Sequence, residues 1–252
     1  MEPFLRADQF ERVYVLLQHE PKIHTKDRER VRLLLEAVYW MDRSGAQWRL
    51  LPAHYGAWNS VYKRFARWDD RGVWERLFQQ VADEPNLQSV MIDATVVRAH
   101  ACAAGAPPKG DQAAQGLGRS RGGFSTKIHV LVDALGNPLK FRRTSGAMGD
   151  NPQAIPLLEG RRTQEVVADR GYDADATLRY IEEHLDAKAT IPPKRSRVVP
   201  RECDYVAYKE RHLIECFIGK LKYFRRVFSR FDKYARRFLA FIHFASTCIW
   251  LK

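Results

Sequence analysis

The sequence predicts an α/β protein in which a mixed β-sheet follows an all-helical region. In the first 85 or so residues, apolar side chains recur every three or four positions, which is the period of an amphipathic helix. After Pro85 the chain changes to short alternating segments rich in β-branched residues. Three predicted strands come in succession and are followed by strands that alternate with helices. This order is typical of an α/β domain with a mixed sheet.

Four helices are predicted in the N-terminal region. The first contains FERVYVLL, with Asp8 and Glu11 as its capping box, and the second contains KDRERVRLLLEAVYWMDR, with Thr25 as its cap and a stop at Ser44-Gly45. The third lies in YGAWNSVYKRFARWDDRG and the fourth in VWERLFQQVADE. These last two are short, meet near a glycine and include one basic helix, which suggests a helix-turn-helix. A small helical bundle with a structural aromatic core explains the same pattern.

The predicted sheet begins with SVMIDATVVRAH, STKIHVLVD and PLKFRRTS, and the turn sequence ALGNP joins the last two strands. Four further elements are predicted after them: a helix in QAIPLLEG, a strand in EVVAD, a helix in DADATLRYIEEHL and a strand in AKATIP. Residues 101–123 are rich in Ala, Gly and Pro, and we predict a flexible loop there. The apolar run 238–251 is too short to span a bilayer and predicts a core helix.

The charge of the chain favours a polyanionic partner. The formal net charge is +12, and between Lys194 and Arg237 14 Lys and Arg stand against 5 Asp and Glu. One sign of charge dominates there, and nucleic acid is the commonest partner of such a surface. The 4 cysteines form no C-x-x-C pair, which argues against a zinc site or a secreted disulfide framework. The N-terminus lacks a signal-peptide pattern, so we expect a cytoplasmic protein with no membrane partner.

Three isolated acids are candidates for chemistry. Asp93 lies inside a predicted strand, where a carboxylate is costly unless it is paired or binds a metal ion. Asp169 ends the strand EVVAD, at the edge where open α/β sheets place ligands, and Gly171 lets the chain turn there. Glu215 is surrounded by basic and aromatic residues. Each acid also has a structural explanation: a salt bridge for Asp93, a helix cap for Asp169, and an ion pair with Arg211 for Glu215.

Other polar residues are weaker candidates. His129, on an alternating strand, is more consistent with a structural role than with a ligand. Asp133 is assigned to the hairpin turn and Asp150 to a helix cap. Asp173 and Asp175 compete with the second acid, but they follow the turn instead of ending the strand.

The stretch YKERHLIECFIGKLKYFRRV, residues 208–227, predicts one amphipathic helix. At about 100° per residue, Tyr208, Arg211, Glu215 and Lys222 fall on one narrow side. The opposite side is apolar and consists of Leu213, Ile214, Phe217, Leu221, Phe224 and Phe228. An acid beside basic residues suits metal-dependent phosphoryl chemistry, because Mg²⁺ prefers carboxylate oxygens while cations hold phosphates. Two such ions about 4 Å apart stabilise both the attacking and the leaving oxygen.

These motifs resemble those of a known family. The spacing of Tyr208, Arg211, Glu215 and Lys222 matches the Tyr-Arg-Glu-Lys signature of bacterial insertion-sequence transposases. MIDATVVRAH and VVADRGYDAD are similar to the segments that carry the first and second Asp of that family. GRSRGGFSTKIHVLVDALGNP is similar to the branch called insertion sequence five. The resemblance covers essentially the whole chain.

The resemblance implies a ribonuclease H-like catalytic domain over residues 86–252, preceded by a helix-turn-helix-like DNA-binding region over residues 1–85. It also implies a DDE triad of Asp93, Asp169 and Glu215 that binds two Mg²⁺ ions, with Mn²⁺ as a substitute. Such an enzyme nicks DNA at the ends of the element by hydrolysis, and the freed 3′-OH then attacks target DNA. Only 46 positions separate Asp169 from Glu215, so the large β-rich insert of some related transposases is absent.

The implied partner is DNA, both the terminal inverted repeats and the target. The resemblance assigns DNA backbone contacts to Arg211 and Lys222 and a supporting role to Tyr208. In the N-terminal region, the basic face of the third helix adds further expected contacts, namely Lys63, Arg64 and Arg67. We also expect a homodimer or higher oligomer on DNA, and association with the nucleoid.

Two other interpretations remain. A non-enzymatic DNA-binding regulator, as a decayed or domesticated copy, would keep the basic surfaces without the chemistry, and an intact metal triad discriminates against it. A ribonuclease H-like nuclease that acts on junctions or hybrids would share the triad but would not need a region that binds terminal repeats.

Overall fold

The computed structural model describes residues 5–21, 23–104, 115–120, 122–199 and 201–252. The helices are α1 (Ala7–Gln18), α2 (Arg28–Ser44), α3 (Trp58–Asp70), α4 (Val73–Val81), α5 (Ala101–Ala104), α6 (Ala154–Leu158), α7 (Asp175–Arg179), α8 (Tyr205–Tyr208), α9 (His212–Lys222), α10 (Arg225–Phe228) and α11 (Ala235–Trp250). The strands are β1 (Ser89–Ala99), β2 (Gly118–Ser120), β3 (Gly123–Asp133), β4 (Pro138–Ser145), β5 (Glu165–Ala168), β6 (Lys188–Thr190) and β7 (Ser229–Arg230).

The chain forms two compact units. The first unit consists of the described residues of Met1–Asp83, Ala99–Lys109 and Lys220–Lys252. The second consists of those of Glu84–Arg98 and Gly110–Gly219. Packing therefore groups the C-terminal residues with the N-terminal helices. The functional division at residue 85 stays a prediction.

The first unit is a helical bundle with an aromatic core. The ring of Phe65 in α3 lies 4.5 Å from that of Phe241 in α11, and the ring of Trp74 in α4 lies 5.4 Å from that of Phe244 in α11. Trp68 and Trp74 are 5.1 Å apart, and all of these side chains are buried. The predicted core helix over 238–251 is confirmed, since α11 completes the core of the bundle.

The predicted helix caps are wrong, although the helices are present. The first helix starts at Ala7, and the side chain of Gln9 accepts the N–H of Arg6 at 2.9 Å, so Asp8 lies within the first turn. In α2 the cap is Asp27, whose carboxylate accepts the N–H of Arg30 at 3.0 Å, because Thr25 lies too far before the first helical residue. The predicted stop of α2 is confirmed.

The second unit contains the predicted mixed sheet. The central strand β1 pairs antiparallel with β3 and parallel with β5; β4 continues the antiparallel side and β6 the parallel side. The register places Ile92 beside Ala168 on β1 and β5. Asp93 and Asp169 are therefore the next residues along two adjacent parallel strands.

The expected loop over residues 101–123 is partly regular structure. Residues 101–104 form the helical turn α5, and β2 pairs with the start of β3 through Gly118 and Ser125. The hydroxyl of Thr126 also donates to the carbonyl of Gly116 at 2.7 Å. Residues 105–114 and 121 lie outside the described residues, so the expectation of flexibility there stays a prediction.

The stretch 208–227 is not one continuous helix. Its first residue, Tyr208, is the last residue of α8, a 3₁₀ turn follows at Lys209–Arg211, and α9 ends at Lys222. The predicted apolar side is confirmed at four buried positions, which are Ile214, Phe217, Leu221 and Phe224. It is wrong at Phe228, which is 61% exposed, because the chain changes direction before α10.

No helix within the described residues has both the length and the apolar character needed to cross a lipid bilayer.

Candidate active site

Asp93 and Glu215 are joined by the guanidinium of Arg211. The Nη2 atom of Arg211 donates to Oδ2 of Asp93 at 2.7 Å, and its Nη1 atom donates to Oε1 of Glu215 at 2.5 Å. The 3₁₀ turn at Lys209–Arg211 places the guanidinium one turn before Glu215 on α9. The Asp93 side chain is 14% exposed and that of Glu215 is 57% exposed. One acid is therefore fixed in the sheet, while the other lies at the surface.

Asp169 lies at the end of β5, on the strand next to Asp93. Its Oδ1 atom accepts the N–H of Gly171 at 2.8 Å, so it caps the 3₁₀ turn Arg170–Tyr172. A Cβ atom on Gly171 would lie 2.8 Å from that oxygen, which explains why a glycine is needed there. Asp169 therefore has the capping role that was one explanation of its position. Its other carboxylate oxygen, Oδ2, takes no part in this hydrogen bond.

The three acids influence one another electrostatically. Burial raises the pKa of Asp93, and the carboxylates of Asp169 and Glu215 raise it further. The Arg211 guanidinium and the N–H of Ala94 lower the same pKa. The charges of Asp169 and Glu215 therefore disfavour the ionised form of Asp93, and the guanidinium of Arg211 acts in the opposite direction.

Tyr172 is a residue of this site that sequence reasoning did not identify. Its side chain is buried, and within the described residues its hydroxyl has no hydrogen-bond partner. Burial raises the pKa of Tyr172, and the carboxylates of Asp150, Asp93 and Asp169 add to this effect. The only signal in the sequence was its position in VVADRGYDAD, three residues after Asp169.

The rival acids have structural partners. Asp173 accepts the N–H of Lys194 at 2.7 Å and pairs with Arg197, which also binds Asp175 at 2.8 Å. Asp133 accepts the N–H groups of the hairpin turn, as predicted, including that of Asn137 at 2.8 Å.

His129 and Asp150 lie in a separate buried polar group. Nε2 of His129 shares a hydrogen bond with the hydroxyl of Thr144 at 2.8 Å, and burial lowers the pKa of His129 to about 4. The side chain is therefore neutral at pH 7, which agrees with a structural role. Asp150 occupies the predicted cap position, directly before the 3₁₀ turn Asn151–Gln153, but its carboxylate makes no capping bond and instead lies 2.9 Å from Nζ of Lys127.

Two family models match the chain. One, described as "Putative transposase of IS4/5 family", matches residues 5–78, and the other, described as "Transposase DDE domain", matches residues 85–250. The second match covers more than half of the chain and contains all three acids.

The chain belongs to the DDE transposase family. Members of this family cleave DNA and transfer its strands, and they use divalent metal ions. The predicted ribonuclease H-like fold is confirmed by this membership together with the mixed sheet.

Relatives of this transposase carry similar descriptions. A Brucella ovis protein described as "Putative transposase for insertion sequence element IS6501" is 43% identical over 130 residues, which are 51% of this chain and 100% of that protein. A Sinorhizobium fredii protein, "Uncharacterized protein y4sN", is 42% identical over 102 residues, 40% of this chain and 82% of that protein.

Among solved structures, a piggyBac transposase synaptic complex with hairpin DNA matches with a TM-score of 0.41 and 10% identity. That match covers 76% of this chain and 48% of the solved chain.

The carboxylates of Asp93, Asp169 and Glu215 are of the chemical type that binds divalent metal ions. Carboxylate oxygens are the ligands that Mg²⁺ prefers, and the three acids come from adjacent parts of the second unit. In the described part of the chain, no group of three His, Cys, Asp or Glu side chains is arranged to hold a metal ion. The guanidinium of Arg211 instead supplies the positive charge between Asp93 and Glu215.

The residues predicted to contact DNA lie in different environments. Tyr208 is half-buried at the end of α8, and Lys222 is exposed at the end of α9. Lys63 and Arg67 of α3 are also exposed. Arg64 differs, because its guanidinium donates to two backbone carbonyls of the first unit.

Proposed function

We propose that this transposase uses Asp93, Asp169 and Glu215 as the ligands of Mg²⁺ and cuts and joins DNA at the ends of its element. The single guanidinium shared by Asp93 and Glu215, beside the strand that ends at Asp169, is the observation that carries this proposal. Asp93 and Glu215 share one cation, and Asp169 follows the strand next to that of Asp93, which supports a common metal site for the three acids.

The fold gives the three acids different tasks. Asp93 and Asp169 come from adjacent strands, so they provide a rigid pair of ligands. Glu215 comes from the surface of α9 and completes the set from the other side of Arg211. Bound Mg²⁺ would polarise the phosphodiester and activate the attacking hydroxyl or water.

The reaction has two displacement steps at phosphorus. In the first, a water oxygen attacks the phosphodiester at the element end, the 3′ oxygen leaves, and that oxygen receives a proton. In the second, this 3′-OH attacks a target phosphodiester, loses its proton and displaces the target 3′ oxygen. The acids hold the ions, while Arg211, Lys222 and Tyr208 position the DNA backbone.

A nicking assay with one substitution tests the catalytic assignment. We expect Glu215→Gln to bind a duplex made from the DNA that flanks the gene, but to lose nicking in Mg²⁺ by about 100-fold or more, because the amide keeps the shape without the charge. Glu210→Gln is the matched control, since it is the same change on the adjacent 3₁₀ turn.

The two outcomes that would contradict the proposal are distinct. If Glu215→Gln nicks DNA at the wild-type rate, Glu215 is not the third acid. If the wild-type protein binds the element ends but nicks them in neither Mg²⁺ nor Mn²⁺, the non-enzymatic regulator is supported instead.

A further inference from the structure

The hydroxyl of Tyr172 is a buried polar group without a partner. The side chain is 1% exposed, and in the described part of the chain its oxygen has no hydrogen-bond partner. A buried hydroxyl of this kind costs free energy, because folding has removed its hydrogen bonds to water. A phenylalanine would fill the same space without that cost. The stability of the isolated chain therefore does not explain why a tyrosine stands at this position.

The backbone holds Tyr172 beside the end of β5. The N–H of Tyr172 donates to the carbonyl of Asp169 at 3.1 Å, and the N–H of Gly171 donates to Oδ1 of Asp169 at 2.8 Å. These bonds close the 3₁₀ turn Arg170–Tyr172 directly after the strand. Tyr172 is therefore fixed next to one catalytic acid, on the strand that neighbours the strand of Asp93.

The electrostatic surroundings of the hydroxyl are acidic. Burial is the largest cause that raises the pKa of Tyr172, and the carboxylates of Asp150, Asp93 and Asp169 raise it further. The guanidinium of Arg211 acts in the opposite direction. The phenol therefore keeps its proton at pH 7 and is available as a hydrogen-bond donor. The carboxylates that influence it are acceptors of the matching kind.

Asp150 already has a cation as its partner. Oδ1 of Asp150 lies 2.9 Å from Nζ of Lys127 and 3.7 Å from Nδ1 of His129. Lys127 also donates to the carbonyl of Met148 at 2.8 Å, which fixes its ammonium group. Asp150 and Tyr172 are thus both held in place, and they form no hydrogen bond with each other. The hydroxyl therefore has to find its acceptor among groups that rearrange when the site is loaded.

The carboxylates of Asp93 and Asp169 are groups of that kind. Oδ2 of Asp93 accepts from the guanidinium of Arg211 at 2.7 Å, and this contact has to open before the same oxygen can bind a metal ion. Oδ2 of Asp169 takes no part in the hydrogen bond to Gly171. Replacement of the guanidinium by a metal ion would therefore reorient the carboxylates beside the hydroxyl.

We propose that the Tyr172 hydroxyl donates a hydrogen bond to the Asp93–Asp169 carboxylate pair when the pair holds Mg²⁺, and so fixes which carboxylate oxygens face the ion. Carboxylates that bind a metal ion are commonly held by such outer hydrogen bonds, and the loss of one costs about 10–100-fold in metal affinity or activity. Tyr172 is then a positioning residue, since it acts through the acids. The inference rests on the proposed metal-binding function of the three acids.

Mn²⁺ binding to Tyr172→Phe tests this role without any DNA cleavage. The substitution removes the hydroxyl and keeps the ring. Electron paramagnetic resonance of free Mn²⁺, with the full-length chain and no DNA, should show an affinity about tenfold lower than that of the wild type. The temperature of thermal unfolding without metal should equal or exceed that of the wild type, because the unpartnered hydroxyl is gone.

The dependence of nicking on Mg²⁺ gives a second readout. With a duplex made from the DNA that flanks the gene, Tyr172→Phe should need about tenfold more Mg²⁺ for half-maximal nicking, and added Mg²⁺ should recover most of the lost rate. Tyr180→Phe is the matched control. It removes a hydroxyl from the same unit, where burial and the charge of Glu159 raise the pKa of Tyr180. We expect this control to keep the wild-type Mn²⁺ affinity and Mg²⁺ dependence.

A wild-type Mn²⁺ affinity in Tyr172→Phe would overturn the inference. If that unchanged affinity comes with a lower unfolding temperature, the hydroxyl serves the polar group around Asp150 instead. Asp93→Asn is measured in parallel and should lose Mn²⁺ binding, because it removes a ligand charge. If Asp93→Asn binds Mn²⁺ as the wild type does, the proposed metal site itself fails. If Asp93→Asn loses binding while Tyr172→Phe keeps it, only the role of Tyr172 fails.

Discussion

Arg211 contacts two of the three proposed catalytic acids, and it is also a proposed DNA contact. Its guanidinium bonds to the carboxylates of Asp93 and Glu215, the same oxygens that we assign to the metal. A metal ion and the guanidinium therefore compete for these oxygens. A DNA phosphate would give the guanidinium another anion to bind. Metal binding and DNA binding are then coupled through one side chain, and each strengthens the other.

This coupling predicts an unusual effect of Arg211→Gln. Without DNA, the variant should bind Mn²⁺ about tenfold more tightly than the wild type, which corresponds to about 1.4 kcal/mol, because the competing cation is gone. Added DNA should raise the Mn²⁺ affinity of the wild type but change that of the variant little. Electron paramagnetic resonance of free Mn²⁺ measures both affinities.

Lys209→Gln is the control for this measurement, since it removes one positive charge from the same 3₁₀ turn. Equal Mn²⁺ affinities for the wild type and Arg211→Gln in the absence of DNA would show that Arg211 does not compete with the metal.

At the scale of secondary-structure elements, the end of α2 depends on a single glycine. Gly45 has a φ of 65°, in the left-handed region that other residues avoid. A Cβ atom there would lie 3.1 Å from Cβ of Arg225 and 3.3 Å from the ring of Phe231, within the same unit. Both the backbone and the packing at this turn therefore require glycine.

We expect Gly45→Ala to lower the free energy of unfolding by about 1–2 kcal/mol from backbone strain, with a further cost from the close contacts. Urea unfolding of the full chain measures the change. Gly160→Ala is the matched control, because Gly160 also has a left-handed φ, of 76°, but has open space around its Cβ position. Equal costs for the two substitutions would mean that the contacts around Gly45 relax freely.

The elements were predictable where a local pattern determines them. Alternating apolar residues identified β1, β3 and β4, the helical period identified α2, and a continuous apolar run identified α11. The break at Lys209–Arg211 was missed because a single 100° period over residues 208–227 cannot show a tighter turn.

The candidate site was predictable in its members but not in its contacts. Asp93, Asp169 and Glu215 were recognisable from their positions and from the family motifs. The bond between Arg211 and Asp93 was not, because it joins residues 118 positions apart and depends on tertiary packing. The contacts of Arg64 were also not predictable. The helical period places Arg64 on a basic face, which led to its prediction as a DNA contact, but it does not show the two carbonyls to which Arg64 donates.

At the scale of the whole molecule, packing and sequence motifs divide the chain differently. The two family models meet between residues 78 and 85, whereas the first compact unit also includes Lys220–Lys252. In that unit α11 packs against α4, and most of its side chains are buried. The helical bundle therefore needs both ends of the chain.

This arrangement predicts that residues 86–252 do not fold correctly when expressed without residues 1–85. The fragment would expose Phe238, Phe241 and Phe244 of α11, which are buried in the full chain, and each exposed phenylalanine costs about 1.5–3 kcal/mol. We expect the fragment to aggregate or to bind the dye ANS, and co-expression with residues 1–85 to restore a soluble complex. Both are measured by size-exclusion chromatography and ANS fluorescence, with the full chain as control. A soluble, monomeric fragment without ANS binding would contradict the prediction, because α11 would then have a stable core without the N-terminal helices.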